Sequence, residues 1–329
     1  IVGCGDFLRW MADDLQKSKK IAVTSLFDLN PKSAARYAEK LGGTAVKSVN
    51  EIIENPAIDI VCLFVPPWVR KDLVVRAARA GKHILTTKPL APTSADCTAM
   101  VRAVERADVR CGVIYRRTGN SAIELYKQIF ERGSIGKLAL YKQDWLHHYP
   151  EWNTWALDPK KNGGPFMDAM IHNLNIARYL MGRPAVRATF FADNHAHKLP
   201  CYDTEGLKID FQHSGAAHLF ITWAADLAVF NKDGNNREHI DKIYMVTDKG
   251  WYLTEGWTDA GFTVTASRAG VKRQWVAKPL PQTLFDAFAA AVATGKPLRR
   301  DIPSIQEAAE DIAITTRTAA KPGQIITLK

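Results

Sequence analysis

From its first residue to about residue 114, the chain alternates apolar runs of strand length with amphipathic stretches of helix length. That rhythm leaves few folds open. Residues 58–65, Ile-Asp-Ile-Val-Cys-Leu-Phe-Val, form a nearly unbroken apolar run that stops at Pro66-Pro67. Such a run suits a strand covered on both faces, which is the parallel case. Strands are read at 21–27, 44–46, 58–65, 82–86 and 110–114, with helices at 6–16, 31–41, 49–54, 68–80 and 94–106. A doubly wound parallel sheet follows. In such sheets ligands bind at the carboxyl ends of the strands. Asp28, Leu29, Val65, Pro66, Pro67, Thr87, Lys88, Tyr115, Arg116 and Arg117 fall at those ends.

Ile1-Val2 runs straight into Gly3-Cys4-Gly5-Asp6-Phe7-Leu8, the G-x-G-x-x-(G/A) pattern with Leu8 in place of the last small residue. The first glycine makes a tight turn. The second lets backbone N–H groups approach a pyrophosphate at a helix N-terminus. Gly3, Gly5, Asp6 and Phe7 are therefore candidate cofactor contacts. Leu8 keeps the helix from packing as closely on its strand. Asp28, about twenty residues past the glycines, is placed to bind the ribose hydroxyls of an adenosine. Its charge would repel a 2′-phosphate, which favours NAD over NADP. An Asx turn leading into Asn30-Pro31 is the alternative role. Lys88 is held by Pro89 just after a buried strand. Its ammonium could polarise a substrate oxygen or lower a neighbour's pKa; a plain surface lysine is the alternative.

The pattern changes after residue 120. A helix at 121–132 and a strand at 138–145 lead into an aromatic loop with Trp145, His147, His148, Tyr149, Trp152 and Trp155. Aromatic faces stack on sugar C–H surfaces, so a polyol pocket and simple packing under a long loop are both open readings. Gly163-Gly164-Pro165 then opens a helix over 165–181, closed by Gly182 and Pro184. Asp168 and His172 stand four apart, on one face of that helix. A carboxylate and an imidazole so placed can bind a hydroxyl and take its proton; an ordinary Asp–His pair is the bland reading. Strands without intervening helices follow at 186–192, 204–211, 216–223, 242–247, 250–254, 262–266 and 272–277. Helices at 283–294 and 304–319 and a strand at 325–328 close the chain. The expected architecture is an N-terminal Rossmann-type domain over 1–119 and an α+β domain over 120–329, built on a large, mainly antiparallel sheet.

Composition narrows the partners. The 329 residues suffice for two domains. The 44 basic and 34 acidic residues leave a net charge of +10, but they are interspersed. Lys19-Lys20, Arg116-Arg117, Lys160-Lys161 and Arg299-Arg300 read as solvated surface, not a nucleic-acid footprint. A mildly basic surface favours an anionic ligand. No apolar run is long enough to span a membrane. Five cysteines without C-x-x-C spacing suggest a reducing, cytoplasmic setting, with most of them small core residues. The chain opens inside its first strand, which leaves room for a removed upstream segment. His147, His148, His195 and His197 show no compact ligand spacing, so no metal is expected.

The glycine turn with Asp28, then Lys88-Pro89, then Gly163-Gly164 with Asp168 and His172 together resemble the family of glucose–fructose oxidoreductase and inositol dehydrogenase (Gfo/Idh/MocA). Ala80-Gly81-Lys82-His83-Ile84-Leu85 leading into Lys88-Pro89-Leu90 is similar to the family's A-G-K-H-V-L-x-E-K-P-L run. Tyr115-Arg116-Arg117 resembles its N-R-R segment, and Gly133-Ser134-Ile135-Gly136-Lys137 its G-x-I-G-K/R turn. Thr87 replaces the glutamate of E-K-P, Pro67 stands where the family often has asparagine, and Arg70 falls near a usual histidine. The resemblance implies that Lys88, Asp168 and His172 surround the reacting alcohol carbon as catalytic residues. Arg116, Trp145, His147 and Trp155 are further candidate substrate contacts beside Asp168 and His172. The resemblance further implies an NAD-dependent oxidoreductase acting on a secondary alcohol of a sugar or cyclitol, assembled as a homo-oligomer (dimer or tetramer) through the open face of the large sheet. Two other readings stand beside it: an NAD-dependent glycoside-cleaving or epimerising enzyme that oxidises transiently, and a non-catalytic dinucleotide-sensing regulator.

Overall fold

The computed structural model describes residues 1–151, 154–227 and 238–328, so Trp152 of the aromatic loop lies outside the described residues. The chain forms two compact units, Ile1–Gly119 with Leu280–Ile312, and Asn120–Pro279 with Ala313–Lys329.

The first unit runs α1 (Asp6–Lys17), β1 (Ser25–Leu26), α2 (Pro31–Leu41), β2 (Thr44–Ala45), α3 (Val49–Ile53), β3 (Ile60–Leu63), α4 (Pro67–Arg79), β4 (His83–Thr87), α5 (Ser94–Arg106) and β5 (Cys111–Ile114). β1 pairs with β2, and β3, β4 and β5 pair in that order, all parallel. Val2 joins the two ladders. It bridges Phe27 on one side and Leu63 on the other, donating its N–H to Cys62 O and accepting from Phe64 N–H, both at 2.8 Å. The opening residues thus act as the central strand, next to the glycine turn. The expected strand at 21–27 is shorter, because it lies beside the exposed edge strand β2. Only Ser25–Leu26 is regular, and Ala22 and Thr24 are exposed. All five cysteines are buried and free.

The helix Leu284–Thr294 also belongs to this unit. Its Leu284, Phe285, Ala287 and Phe288 share one apolar core with Leu8, Leu26, Leu85 and Ile114. Asp286 accepts the Ser18 hydroxyl at 2.6 Å and the Lys19 N–H at 2.9 Å. The sequence reading placed residues 280–312 in the second domain; they pack instead with the first unit, because their apolar face completes its core.

The second unit contains α6 (Ser121–Arg132), β6 (Leu138–Leu146), α7 (Ile171–Met181), β7 (Ala185–Asp193), β8 (Thr204–Phe211), β9 (Ala216–Thr222), β10 (Ile240–Thr247), β11 (Tyr252–Thr258), β12 (Gly261–Arg268), β13 (Val271–Val276) and β14 (Ile326–Thr327). Among the described residues the strands form one sheet of nine, in the order β13-β12-β11-β10-β6-β9-β8-β7-β14. Among the described residues of this sheet only β6 and β9 pair in parallel. α6 and α7 bury Tyr126, Ile129, Leu174 and Ala177 against Tyr141, Leu207 and Leu219. On the other face Phe191, next to buried Phe190, stays 42% exposed. Its ring lies over Gly206, where a Cβ would stand 2.1 Å from it, and stacks on Phe220 at 6.2 Å.

Candidate active site

At the mouth of the parallel sheet the two glycines do different work. Gly3 has φ +96°, and a Cβ there would stand 2.3 Å from Phe64 O, so the turn itself demands glycine. Gly5 caps α1 with φ −90°, and a Cβ there would meet no protein atom within 4 Å. Its missing side chain serves no internal packing. It leaves the first amides of α1 open to an anionic group, as a pyrophosphate requires. Asp28 closes this corner. Its Oδ2 accepts the Cys4 N–H and its Oδ1 the Asn30 N–H, each at 2.7 Å. It therefore makes the Asx turn and also braces the glycine turn. Leu29 beside it is 93% exposed. Asp6 is exposed at the start of α1, and Phe7 is half-buried against Phe64. Val65 and Pro66 are half-buried at the end of β3, and Pro67 is buried as α4 begins.

β4 delivers Lys88. Thr86 and Thr87 are buried, their hydroxyls bonded to Leu63 O at 2.8 Å and Ile114 O at 3.4 Å. Lys88 is half-buried between buried neighbours, and its bond to Pro89 is cis. Arg70 of α4 is buried behind this corner. It donates to Val65 O at 2.5 Å, to Leu90 O at 3.1 Å and to Pro89 O. Burial pulls its pKa down to about 9, which still leaves it cationic at neutral pH. Arg70 thus ties the end of β3 to the segment that carries Lys88. In the sequence Arg70 stands out only as a departure from the family pattern. Arg117 corrects another expectation. Arg116 is exposed, but Arg117 is buried and pairs with Glu307 at 2.8 Å, because residues 280–312 pack with this unit.

In the second unit, Gly163 and Gly164 have φ of +93° and +98° and open the helix that carries Asp168 and His172. Its first turn, Phe166–Met170, is π-helical and becomes α-helical only from Ile171. The regular spacing expected from four residues is therefore modified, since a π-turn holds an extra residue. Exposure still singles the pair out. Within residues 164–177 every position is buried except Asp168 and His172. Beneath this turn lies Glu205, fully buried in β8. It accepts the Phe166 N–H at 2.7 Å, an amide with no partner inside the helix. A Cβ on Gly164 would stand 3.3 Å from both Glu205 oxygens. Burial pushes the Glu205 carboxyl up to about 8. Burial, and then Glu205, push the nearby Cys201 thiol up to about 12. Glu205 sits in an ordinary strand run, so no local pattern marks it.

The aromatic loop divides. Trp145 is half-buried, its ring 5.2 Å from that of His147. His147 is buried, with Nδ1 2.6 Å from His148 O, and burial lowers its pKa to about 4. Trp155 and Tyr149 pack with Leu157 and Leu199 around Ala156, Cys201 and Trp223. Both rings stay half-buried in this cluster.

Comparisons with known proteins show the family and the fold. A family model for Gfo/Idh/MocA oxidoreductases, described as an NAD-binding Rossmann fold, matches residues 1–115. The model for the C-terminal domain of the same family matches residues 123–234. Levoglucosan dehydrogenase of Pseudarthrobacter phenanthrenivorans is 31% identical over 53% of this chain and 45% of its own length. Myo-inositol 2-dehydrogenase of Thermotoga maritima is 28% identical over 55% of this chain and 54% of its own. The chain thus matches about half the length of these relatives. The crystal structure of aldose-aldose oxidoreductase from Caulobacter crescentus, complexed with glycerol, superposes with a TM-score of 0.82 at 21% identity, covering 99% of this chain and 98% of that one. That likeness is one of fold.

Proposed function

Because the chain belongs to the Gfo/Idh/MocA oxidoreductase family, we propose that it moves a hydride between NAD and a secondary alcohol, or the matching ketone, of a sugar or cyclitol. The observation that supports this most directly is the partial exposure of Asp168 and His172 in an otherwise buried run. A proton-handling pair needs side chains that substrate can reach on a backbone that packing holds still.

Bound NAD supplies the hydride acceptor. His172 takes the hydroxyl proton, Asp168 orients the imidazole or the hydroxyl, and Lys88 stabilises negative charge developing on the oxygen. The amides of α1 beside Gly5 take the pyrophosphate, and Asp28 takes the adenosine ribose hydroxyls, which favours NAD over NADP. Arg116 and Trp145 contribute substrate contacts, and a second copy of the chain covers the sheet face around Phe191. The test is a panel of sugars, cyclitols and glycosides with NAD and NADP, followed by absorbance of the reduced cofactor. Turnover should appear with NAD. His172→Ala should lower it by about 10²–10⁴ while NAD still binds. Full turnover in that variant would overturn the assignment. Glycoside cleavage with tightly held NAD and no net reduction would favour the transient-oxidation reading, and NAD binding without turnover across the panel would favour a regulator.

A further inference from the structure

Three segments of the second unit bring His148, His197 and Asp226 together, none of them part of the Asp168–His172 pair. One ring nitrogen from each histidine and one carboxylate oxygen all lie within 4.8 Å of one another. The sequence offered no compact spacing here because the three residues come from the end of β6, the turn before β8 and the stretch after β9.

The scaffold behind the cluster is fixed by the backbone. His148 N–H donates to Leu227 O at 2.7 Å, His148 bridges Ala224, and His147 N–H donates to Thr222 O at 3.0 Å. The stretch bearing Asp226 is thus strapped to the stretch bearing His148. The turn bearing His197 is gathered by buried Asp203. Its carboxylate accepts N–H groups from His195 and His197 at 3.0 Å and from Ala196 at 2.8 Å. Trp223 N–H closes onto Asp203 O at 2.6 Å.

The polar atoms are arranged as metal ligands are. His148 Nδ1 lies 2.9 Å from Asp226 Oδ1, while its Nε2 lies 3.6 Å from Glu151 Oε1. A ligand histidine characteristically turns its second nitrogen toward a carboxylate in this way. The His197 ring stands edge-on to that of His148 at 5.2 Å, and its Nε2 is buried without a hydrogen-bond partner. A simple His148–Asp226 ion pair accounts for neither His197 nor Glu151. The Asp226 side chain is 85% exposed, so its carboxylate can swing by the small amount needed to close the set.

We propose that His148, His197 and Asp226 bind one divalent transition-metal ion of the zinc class, with water in the fourth position. Two imidazoles and a carboxylate suit that class. The ion clips the start of the aromatic loop to the turn before β8, with the Tyr149 ring beside both histidines at 4.0 Å and 5.1 Å. The proposal does not depend on the oxidoreductase reading.

The test uses the full chain without a histidine tag, stripped with chelator and then titrated with Zn²⁺ or Co²⁺. Calorimetry should give one equivalent, Co²⁺ should produce visible ligand-field absorption, and Zn²⁺ should raise the melting temperature. His197→Ala and Asp226→Asn should each weaken binding by at least about tenfold, and Glu151→Gln by about tenfold. Asp226→Asn lies at the surface, and its circular dichroism serves as the check that it folds. Absence of binding to the stripped chain would overturn the proposal. So would equal binding by the wild type and a folded Asp226→Asn variant.

Discussion

The Glu205 carboxyl group accepts the amide of Phe166 at 2.7 Å, which sets a buried acid against the first turn of the helix bearing Asp168 and His172. Burial raises this acid from 4.5 to about 8. Between those values the native state keeps a proton that the unfolded chain has lost, so stability falls as pH rises through the window. Glu205→Gln removes that slope. Urea unfolding from about pH 5 to 8 should show a flatter profile than the wild type. An unchanged slope would rule Glu205 out as its source. Glu205→Ala, which strands the Phe166 amide, should cost about 1–3 kcal/mol.

Arg70 holds three carbonyls, those of Val65, Pro89 and Leu90. Arg70→Met fills similar space but leaves the three acceptors unpaired. It should lower stability by about 1.5–3 kcal/mol. Hydrogen exchange should speed up around residues 88–90 before it does so elsewhere in the first unit. Uniform protection there, with stability unchanged, would contradict a bracing role.

The two glycines of the first turn should separate cleanly. Gly3→Ala forces a Cβ to 2.3 Å from Phe64 O and should cost about 3 kcal/mol or more. Gly5→Ala meets no protein atom and should leave stability within about 1 kcal/mol of the wild type. Its methyl group would occupy the approach to the α1 amides, so NAD affinity measured by calorimetry should fall by at least about tenfold. Wild-type affinity in Gly5→Ala would mean that the pyrophosphate binds elsewhere.

Phe191 offers a test of assembly. Its ring is exposed, rests on Gly206 and stacks on Phe220. If a second copy covers this face, Phe191→Asp should shift the mass in analytical ultracentrifugation to that of a monomer, with circular dichroism unchanged. The wild-type mass in that variant would place any interface elsewhere.

Elements with their own start and stop signals were legible in the sequence. Asn30-Pro31 opens α2 and Gly42 closes it, and the helix runs Pro31–Leu41 as read. Gly182 likewise ends α7. What escaped was set by contacts distant in the chain. Asp28 showed its turn but not its bond to Cys4, which depends on the pairing of Val2 with Phe27. Arg117 looked solvated because its partner Glu307 lies 190 positions further along. The π-turn at Phe166–Met170 left no trace in apolar periodicity, because nearly every residue there is buried.

The division of the chain between the units bears on how it can be cut. The first unit resumes at residue 280 after the second has begun, so most of the large sheet is an insertion into the nucleotide-binding unit. A gene fragment ending at residue 119 would lack Phe285, Phe288 and Ile302, and Leu8 and Ile114 would lose apolar neighbours they need. Chimeras that exchange substrate units among relatives should therefore splice at residues 119, 280 and 312 together, so that β14 travels with β7.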